Sequence, residues 1–119
     1  MIDVVIYGDS IMKGATPEGE NRYRSVMPRF LPRLAEKYGL AVTNKARFGS
    51  TIDRGYAQLQ KDLNEQAAPY RCALVEYGGN DCDFDWAAVA EAPAAEHLPR
   101  TSMAAFQDTL EAMADGLQK

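Results

Sequence analysis

Ser10 is the residue of this sequence that is best placed to act as a nucleophile. It follows Val4-Val5-Ile6-Tyr7, an apolar run with three β-branched members that predicts a buried strand, and Gly8 ends that strand in a turn. Ligands of open α/β sheets bind at the carboxyl ends of the strands, which is where this turn lies. Because short Gly-Asp-Ser turns are common, the interpretation depends on which other residues reach the same edge.

Two more glycine-containing turns follow predicted strands. The segment 40–46 is a weaker strand candidate, and the turn after it contains Gly49. Residues 72–77 form the third strand candidate, followed by Gly78-Gly79-Asn80-Asp81. Parallel strands would place all three turns on one edge of the sheet, so we expect Ser10, Gly49 and Asn80 to converge although they are far apart in sequence.

The helices that must connect these strands have clear periodicity. Apolar residues at helical spacing predict three amphipathic helices, and their alternation with the strands predicts a single α/β domain over residues 1–119 with right-handed crossovers. We expect loops over residues 11–24 and 82–99. The predicted apolar faces are Met27, Phe30, Leu31, Leu34 and Tyr38; Ile52, Tyr56, Leu59 and Leu63; and Phe106, Leu110, Met113 and Leu117.

The ends of the predicted helices carry capping residues. Gly39 is a stop signal for the first helix, and Ala67-Ala68-Pro69 ends the second. Side chains that can act as N-caps precede both the second and the third helix. Gly55 lies in the first turns of the second helix and makes its predicted start less certain in position. The N-cap candidates are Ser50, Thr51 and Asp53 for the second helix and Thr101 and Ser102 for the third.

Composition and charge narrow the class of protein. The 119 residues are 46% hydrophobic and 25% charged, which is ordinary for a globular domain. Thirteen basic and 17 acidic side chains give a net charge of -4, which argues against nucleic acid or an anionic membrane as the partner. No apolar run approaches membrane-spanning length, and the sequence begins directly with strand-like residues. Cys72 and Cys82 form no CxxC motif, so we expect reduced thiols and a cytoplasmic protein.

A serine hydroxyl needs a base and donors for the developing oxyanion. The backbone N–H groups of Ser10 and Gly49 and the side-chain amide of Asn80 are suitable donors. Each residue also has a simpler interpretation. Gly49 can be an ordinary turn glycine, and Asn80 can be a turn residue that binds its own backbone.

Taken together, three short motifs resemble the first three blocks of the SGNH (GDSL) hydrolase family. They are Gly8-Asp9-Ser10-Ile11, then Asn44 followed by Gly49, and finally Gly78-Gly79-Asn80-Asp81, in the order and spacing of that family. The resemblance implies a flavodoxin-like three-layer α/β/α sandwich with the parallel strands in the order 2-1-3.

The same resemblance implies the roles of the site residues. It makes Ser10 the nucleophile and one oxyanion donor, with Gly49 and Asn80 completing the hole, in the hydrolysis of acyl or acetyl esters through an acyl-enzyme. We expect Asp9, Gly79 and Asp81 to contact a small-molecule or glycan ester. The resemblance implies no metal or cofactor.

The expected base is missing from the sequence pattern. The family places a histidine in a C-terminal Asp-x-x-His motif after two more strands, whereas the only histidine here is His97, with Ala94 three positions before it. We interpret His97 as a loop residue and expect the base and the last strands to lie beyond Lys119. A catalytically inactive binding or assembly module is the alternative. An uncovered third strand would also favour self-association.

Overall fold

The computed structural model describes residues 1–65 and 70–118. The strands are β1 (Ile2–Gly8), β2 (Ala15–Gly19), β3 (Arg22–Ser25), β4 (Leu40–Asn44) and β5 (Cys72–Glu76). The helices are α1 (Met27–Tyr38), α2 (Ile52–Asn64), α3 (Trp86–Glu91) and α4 (Met103–Leu117). The predicted helix end at Ala67-Ala68-Pro69 lies outside the described residues.

A parallel sheet in the order β4-β1-β5 is the centre of the fold. Val4 of β1 is in register with Val42 on one side and with Cys72 on the other. The first strand of the sheet is therefore central, and the predicted order 2-1-3 is confirmed. The turns after β1, β4 and β5 lie at the same edge, as expected for parallel strands.

Helices cover both faces of this sheet, because its strands are apolar on both sides. On one face, Val5 and Tyr7 pack against Ile52 and Leu59 of α2 and Met113 of α4. The opposite face carries Val4 and Ile6, which are also buried. There α1 lies over β4, with Met27, Leu31 and Ala35 lining the same cleft as Val42. The result is the expected α/β/α arrangement of the flavodoxin-like fold.

A polar cluster joins β1 to α2 and to the residue that follows β4. The hydroxyl of Tyr7 and the ammonium group of Lys45 both donate to Oδ2 of Asp62, each at 2.7 Å. Desolvation pushes the pKa of Asp62 upward, but these two hydrogen bonds outweigh it and hold the pKa below its usual value. Burial, followed by the bond to Asp62, raises the pKa of Tyr7. The cluster thus satisfies the polar groups that this packing buries.

Two segments predicted as loops contain regular structure. Residues 11–24 include the antiparallel hairpin of β2 and β3, whose turn has Asn21 at φ 56°. Asparagine tolerates this left-handed conformation, and the glycines and Pro17 of the segment concealed the strand pattern. The segment 82–99 contains α3, where Asp85 accepts a hydrogen bond from the Ala88 N–H and so caps a short alanine-rich helix.

The apolar face of α1 is less covered than its periodicity predicts. Phe30, Leu34 and Tyr38 are 40%, 44% and 61% exposed, and no residue of α1 is fully buried. The helix packs mainly across β4, so only the part of its apolar surface nearest that strand is covered. The apolar face of α1 is therefore covered only in part by the described residues.

The observed helix ends agree with most of the predicted signals. Gly39 follows α1 at φ 65°, a left-handed conformation that favours glycine. Ser102 accepts a hydrogen bond from the Ala105 N–H and caps α4. Thr51 holds the N-cap position of α2, but its side chain makes no capping bond. Within the described ranges, no helix is long and apolar enough to cross a bilayer.

Gly55 allows Tyr77 to pack directly on α2. A Cβ atom at this position would lie 2.2 Å from the Tyr77 hydroxyl oxygen and 2.3 Å from Cζ. The glycine is buried in the helix, where this residue type is intrinsically unfavourable. Its place in α2 therefore follows from the close approach of the ring.

We expect Gly55→Ala to destabilise the fold by about 1–3 kcal/mol, because the methyl group would overlap the Tyr77 ring. Gly116→Ala in α4 is the matched control, since its Cβ would meet only ordinary contacts at 3.5 Å from Leu63 Cδ1. There we expect stabilisation of up to about 1 kcal/mol from helix propensity. Urea unfolding of both variants is the measurement, and equal effects at the two sites would contradict the steric explanation.

The outer edge of β5 presents unpaired main-chain groups. The even-numbered residues of β1 bond toward β4, with Ile6 O accepting from Lys45 N–H at 2.8 Å. Its odd-numbered residues therefore face β5, and the register turns the N–H and C=O groups of Ala73 and Val75 outward. No strand among the described residues pairs there, and Leu74 is 47% exposed.

We propose that copies of this chain associate through β5. Antiparallel pairing of Ala73 with Val75 of a second copy would satisfy the outward groups and set the two Leu74 side chains opposite each other. Leu74→Lys should then keep the chain monomeric in sedimentation velocity over a range of concentrations. Leu98→Lys, at a 77% exposed loop position, is the control and should leave association unchanged. A wild-type chain that stays monomeric and melts cooperatively would exclude this edge pairing.

Candidate active site

Ser10 lies in a tight turn immediately after β1. Lys13 N–H donates to Asp9 O at 3.1 Å, and Ile11 N–H donates to Asp9 Oδ1 at 2.9 Å. Ser10 itself is half-buried. Gly8 is required before the turn, because a Cβ there would lie 2.9 Å from Met12 Cβ. The backbone thus folds back on itself and holds Ser10 at the edge of the sheet.

The hairpin of β2 and β3 is attached to this turn. Ala15 N–H, at the start of β2, donates to Ser10 O at 2.9 Å. Val26 N–H, just after β3, donates to Gly14 O at 3.0 Å, and the Ser25 hydroxyl donates to Lys13 O. The hairpin is therefore an extension of the turn that carries Ser10.

Asn44 connects the end of β4 to the same turn. Its Nδ2 donates to Met12 O at 3.0 Å, while its Oδ1 accepts from Ala46 N–H at the same distance. Arg47 N–H then donates to Gly8 O at 3.0 Å, so the parallel pairing continues past the regular strand. These bonds place the Gly49 turn beside the Ser10 turn.

Gly49 has a left-handed backbone conformation and lies in open surroundings. Its φ of 69° favours glycine, and no other atom lies within 4 Å of where a Cβ would be. Gly49 is exposed, whereas the next residue, Ser50, is buried. A substrate can therefore reach the backbone of this turn without meeting a side chain of residue 49.

Asn80 joins the third turn to the second. Its Nδ2 donates to Ser50 O at 3.0 Å, next to Gly49. An amide nitrogen carries two hydrogens, so this bond orients the group and leaves one hydrogen for another acceptor. The turn itself is closed by Cys82 N–H, which donates to Gly78 O at 2.9 Å. The structure thus links the turns of Gly49 and Asn80 directly.

Asp81 is buried beneath the turns, with its carboxylate occupied by the protein. Its oxygens accept from Ile52 N–H, each at 3.1 Å, and Oδ1 also accepts from the Thr101 hydroxyl at 2.6 Å. The carboxylate therefore caps α2 in place of the predicted N-cap side chains. Its bonds fix the start of α2 and the approach to α4.

The other two residues expected to contact substrate differ in exposure. Asp9 is 1% exposed, and its carboxylate holds the Ser10 turn through Ile11 N–H. Gly79 is exposed, and a Cβ on it would lie 3.7 Å from Asp9 Oδ2. Gly79 is consequently the member of this group that lies on the surface, above the Asp9 carboxylate.

Glu76 is a site residue that the sequence analysis did not single out. It is the last residue of β5, and its Oε1 accepts from Asp9 N–H at 3.4 Å. Burial raises the pKa of Glu76, and the hydrogen bond and charge interaction with Asp9 raise it further. Two carboxyl groups thus share the space below Ser10. The register of Gly8 with Glu76 brings them together, and no local sequence pattern marks this pairing.

Burial and nearby acidic groups raise the pKa of Tyr77, which lies against α2. Burial is the main reason that the pKa of Tyr77 rises to about 12, followed by the charges of Glu76, Asp9 and Asp81. This tyrosine is therefore a neutral phenol at neutral pH, and it packs beneath the site as a core residue.

His97 lies in the loop before α4, as expected. Its Nε2 is 2.7 Å from Ala92 O, so the ring is held within its own loop. The aspartates of residues 83 and 85 likewise shape this segment. Asp83 Oδ1 accepts from the Trp86 indole at 2.7 Å, and Asp85 caps α3. Within the described ranges, no three His, Cys, Asp or Glu side chains are grouped to hold a metal ion.

Residues 6–119 match the model of the GDSL-like lipase/acylhydrolase family. The chain therefore belongs to that family, and the suspected SGNH (GDSL) relationship is confirmed. No curated protein gives a significant match.

Solved structures share the fold at low sequence identity. A lipase/acylhydrolase from Enterococcus faecalis is 22% identical with a TM-score of 0.65, and the match covers 98% of this chain and 52% of that one. AlinE4, an SGNH-hydrolase family esterase, is also 22% identical with a TM-score of 0.63, covering 98% and 53%. The chain thus spans about half the length of the solved structures it matches.

The raised pKa of Glu76 predicts a pH-dependent stability. A carboxyl with a raised pKa in the folded state stabilises that state fully below its ordinary value of 4.5, and the contribution is lost as pH rises through the folded pKa. The Glu76→Gln variant has no carboxyl to titrate here. As pH rises above 4.5, its free energy of unfolding should therefore decline less than that of the wild type.

Urea unfolding measured from about pH 4 to about pH 8 tests this difference. Glu36→Gln, at an exposed position of α1, is the control and should follow the wild-type pH profile. Identical pH slopes for wild type and Glu76→Gln would mean that the protonation of Glu76 is not linked to folding.

Proposed function

We propose that this chain carries the nucleophile and the oxyanion hole of a serine hydrolase acting on carboxylic esters. The observation that carries the proposal is the hydrogen bond from Asn80 Nδ2 to Ser50 O, beside Gly49. This bond joins two of the three donor turns, while the bond from Arg47 N–H to Gly8 O joins the second turn to the end of β1, just before Ser10. Membership of the hydrolase family supports the same reaction class.

Each proposed residue has one role in the reaction. Ser10 Oγ attacks the ester carbonyl carbon while a general base takes its proton, and the carbonyl oxygen becomes an oxyanion. The N–H groups of Ser10 and Gly49 and the free Nδ2 hydrogen of Asn80 stabilise that charge. Collapse expels the alcohol with a proton from the base. Water then attacks the acyl-Ser10 ester and gives a proton to the base. The bond between the acyl carbon and Ser10 Oγ breaks, the base returns the proton to Ser10 Oγ, and the acid is released.

The substrate that we propose is an acyl or acetyl ester of a small molecule or glycan. Gly79 forms part of its exposed contact surface, with Asp9 and Asp81 holding the turns from below. No metal is needed for this chemistry, because backbone and amide donors stabilise the oxyanion. Cys72 and Cys82 are free thiols, which is compatible with a reducing compartment, and we propose the cytoplasm.

The base must come from a group other than His97, whose ring is bonded within its own loop. We propose that it comes from a segment that corresponds to the unmatched half of the solved esterases. A binding or assembly module that retains the cleft without turnover is the second candidate, and the position of His97 is the observation that favours it.

Labelling and turnover of Ser10 separate these two candidates. In the protein that includes the base-bearing segment, we expect a fluorophosphonate to modify Ser10, with no modification in Ser10→Ala, as measured by mass spectrometry. Asn80→Ala should lower the phosphonylation rate and kcat for 4-nitrophenyl acetate by about 10²–10³, with a smaller effect on KM, because an oxyanion donor acts in the transition state.

The unfolding midpoint of Asn80→Ala serves as the control for loss of the bond to Ser50. A folded Asn80→Ala variant with unchanged rates would remove Asn80 from the oxyanion hole. If wild type and Ser10→Ala were equally unreactive in the protein that includes the base-bearing segment, this domain would be the binding module.

A further inference from the structure

Two cavities adjoin the Gly49 turn, and basic side chains line both. One has a volume of about 370 Å³ and lies between the turn and α2; the other, of about 320 Å³, lies between the turn and the entry to α4. Arg54 lines both cavities and so stands between them. Gly49 lines the second, and Ser50, which accepts from Asn80, lines the first. The remaining basic residues of the two linings are Arg47 and Lys61 in the first and Arg100 in the second.

The charge of this region is opposite to that of the whole chain. The net charge is -4, yet the first cavity is lined by three basic and no acidic residues. In the second, Asp53 is the single acidic residue beside two arginines, and its carboxylate is bonded by the Thr51 hydroxyl. Lys13, from the Ser10 turn, lies 5.7 Å from the centre of the Phe48 ring and adds a further cation to the surroundings.

Arg47, Arg54 and Arg100 form no salt bridge with any residue that the structure describes. Among the residues that the structure describes, the ion pairs within 4.0 Å are Arg24 with Glu18, Lys45 with Asp62 and Lys61 with Glu65. Arg47, Arg54 and Arg100 are all exposed. A guanidinium group binds carboxylate and phosphate in a two-pronged geometry, and like charges that are left close together favour an external anion. The arrangement is therefore suited to receive a negatively charged group.

We propose that Arg47, Arg54 and Arg100 form an anion subsite that selects esters carrying a negative charge. This inference rests on the proposed ester hydrolysis at Ser10 and names the substrate class of that site. The cavities border the Gly49 turn, so an ester bound in the oxyanion hole would extend its charged part toward Arg54. Neutral esters of the same shape gain nothing from this contact.

Matched ester pairs test the selection and locate the charge. For charge on the alcohol, 4-acetoxybenzoate is compared with 4-acetoxybenzamide; for charge on the acyl group, the 4-nitrophenyl hemisuccinate is compared with the butyrate. In the protein that includes the base-bearing segment, we expect kcat/KM to favour the anionic member of one pair and Arg54→Gln to lower that value about tenfold, which is the scale of one charge-assisted hydrogen bond. Values for the neutral member should stay within about twofold. Arg33→Gln, on the exposed surface of α1, is the matched control and should change neither value.

Binding to Ser10→Ala provides a readout that does not need turnover. Dissociation constants of intact 4-acetoxybenzoate and of succinate monoethyl ester are measured by NMR titration, with and without Arg54→Gln. If binding depends on Arg54 but no ester is hydrolysed by the wild type, the subsite stands and the proposed hydrolysis fails. If hydrolysis occurs with no charge preference in either pair, or Arg54→Gln and Arg33→Gln behave alike, the subsite is wrong.

Discussion

The buried carboxylate of Asp81 is the interaction on which the geometry of the site depends. Asp81 lies in the turn after β5. Its carboxylate accepts hydrogen bonds from the first N–H of α2 and from the hydroxyl of Thr101, which precedes α4. A carboxylate with 2% exposure would be costly without such partners, and here both its oxygens have them. One side chain therefore connects the third turn, the start of α2 and the entry to α4. The Asn80 amide is positioned as part of this unit.

The sheet supplies the remaining constraint. Parallel pairing of β4, β1 and β5 brings three turns to one edge, but the strands stop before the turns begin. Side chains continue the connection where backbone pairing ends, through Asn44 to Met12 and Asn80 to Ser50. Glu76 Oε1, which accepts from Asp9 N–H, likewise connects the end of β5 to the turn of Ser10. Hydrogen bonds between polar side chains and the turns thus hold the site at the edge of an apolar sheet.

Much of this arrangement is readable from the sequence, because it rests on local patterns. The β-branched run before Ser10, the glycine-containing turn after each strand of the sheet and the apolar periodicity predicted three parallel strands and three of the four helices, whereas the strand order came from the resemblance to the hydrolase family. The hairpin was missed because Pro17 and its glycines mask alternation. The Asp9–Glu76 contact, the capping of α2 by Asp81 and the cluster of arginines depend on register and crossing geometry between distant segments. Periodicity carries no information about these contacts, so they emerged only from the structure.

The hairpin of β2 and β3 has a mechanical consequence. It shares no pairing with the central sheet, yet its first N–H holds the carbonyl of Ser10 and its last residues return to the same turn. Its strands can lengthen, shorten or change sequence without disturbing the register of β1. Such a change would be transmitted to the nucleophile through the hydrogen bond from Ala15 N–H to Ser10 O and through the bonds from Val26 N–H and the Ser25 hydroxyl to Gly14 and Lys13. The hairpin is thus a segment whose variation can shift the turn of Ser10 while the pairing of the central sheet stays the same.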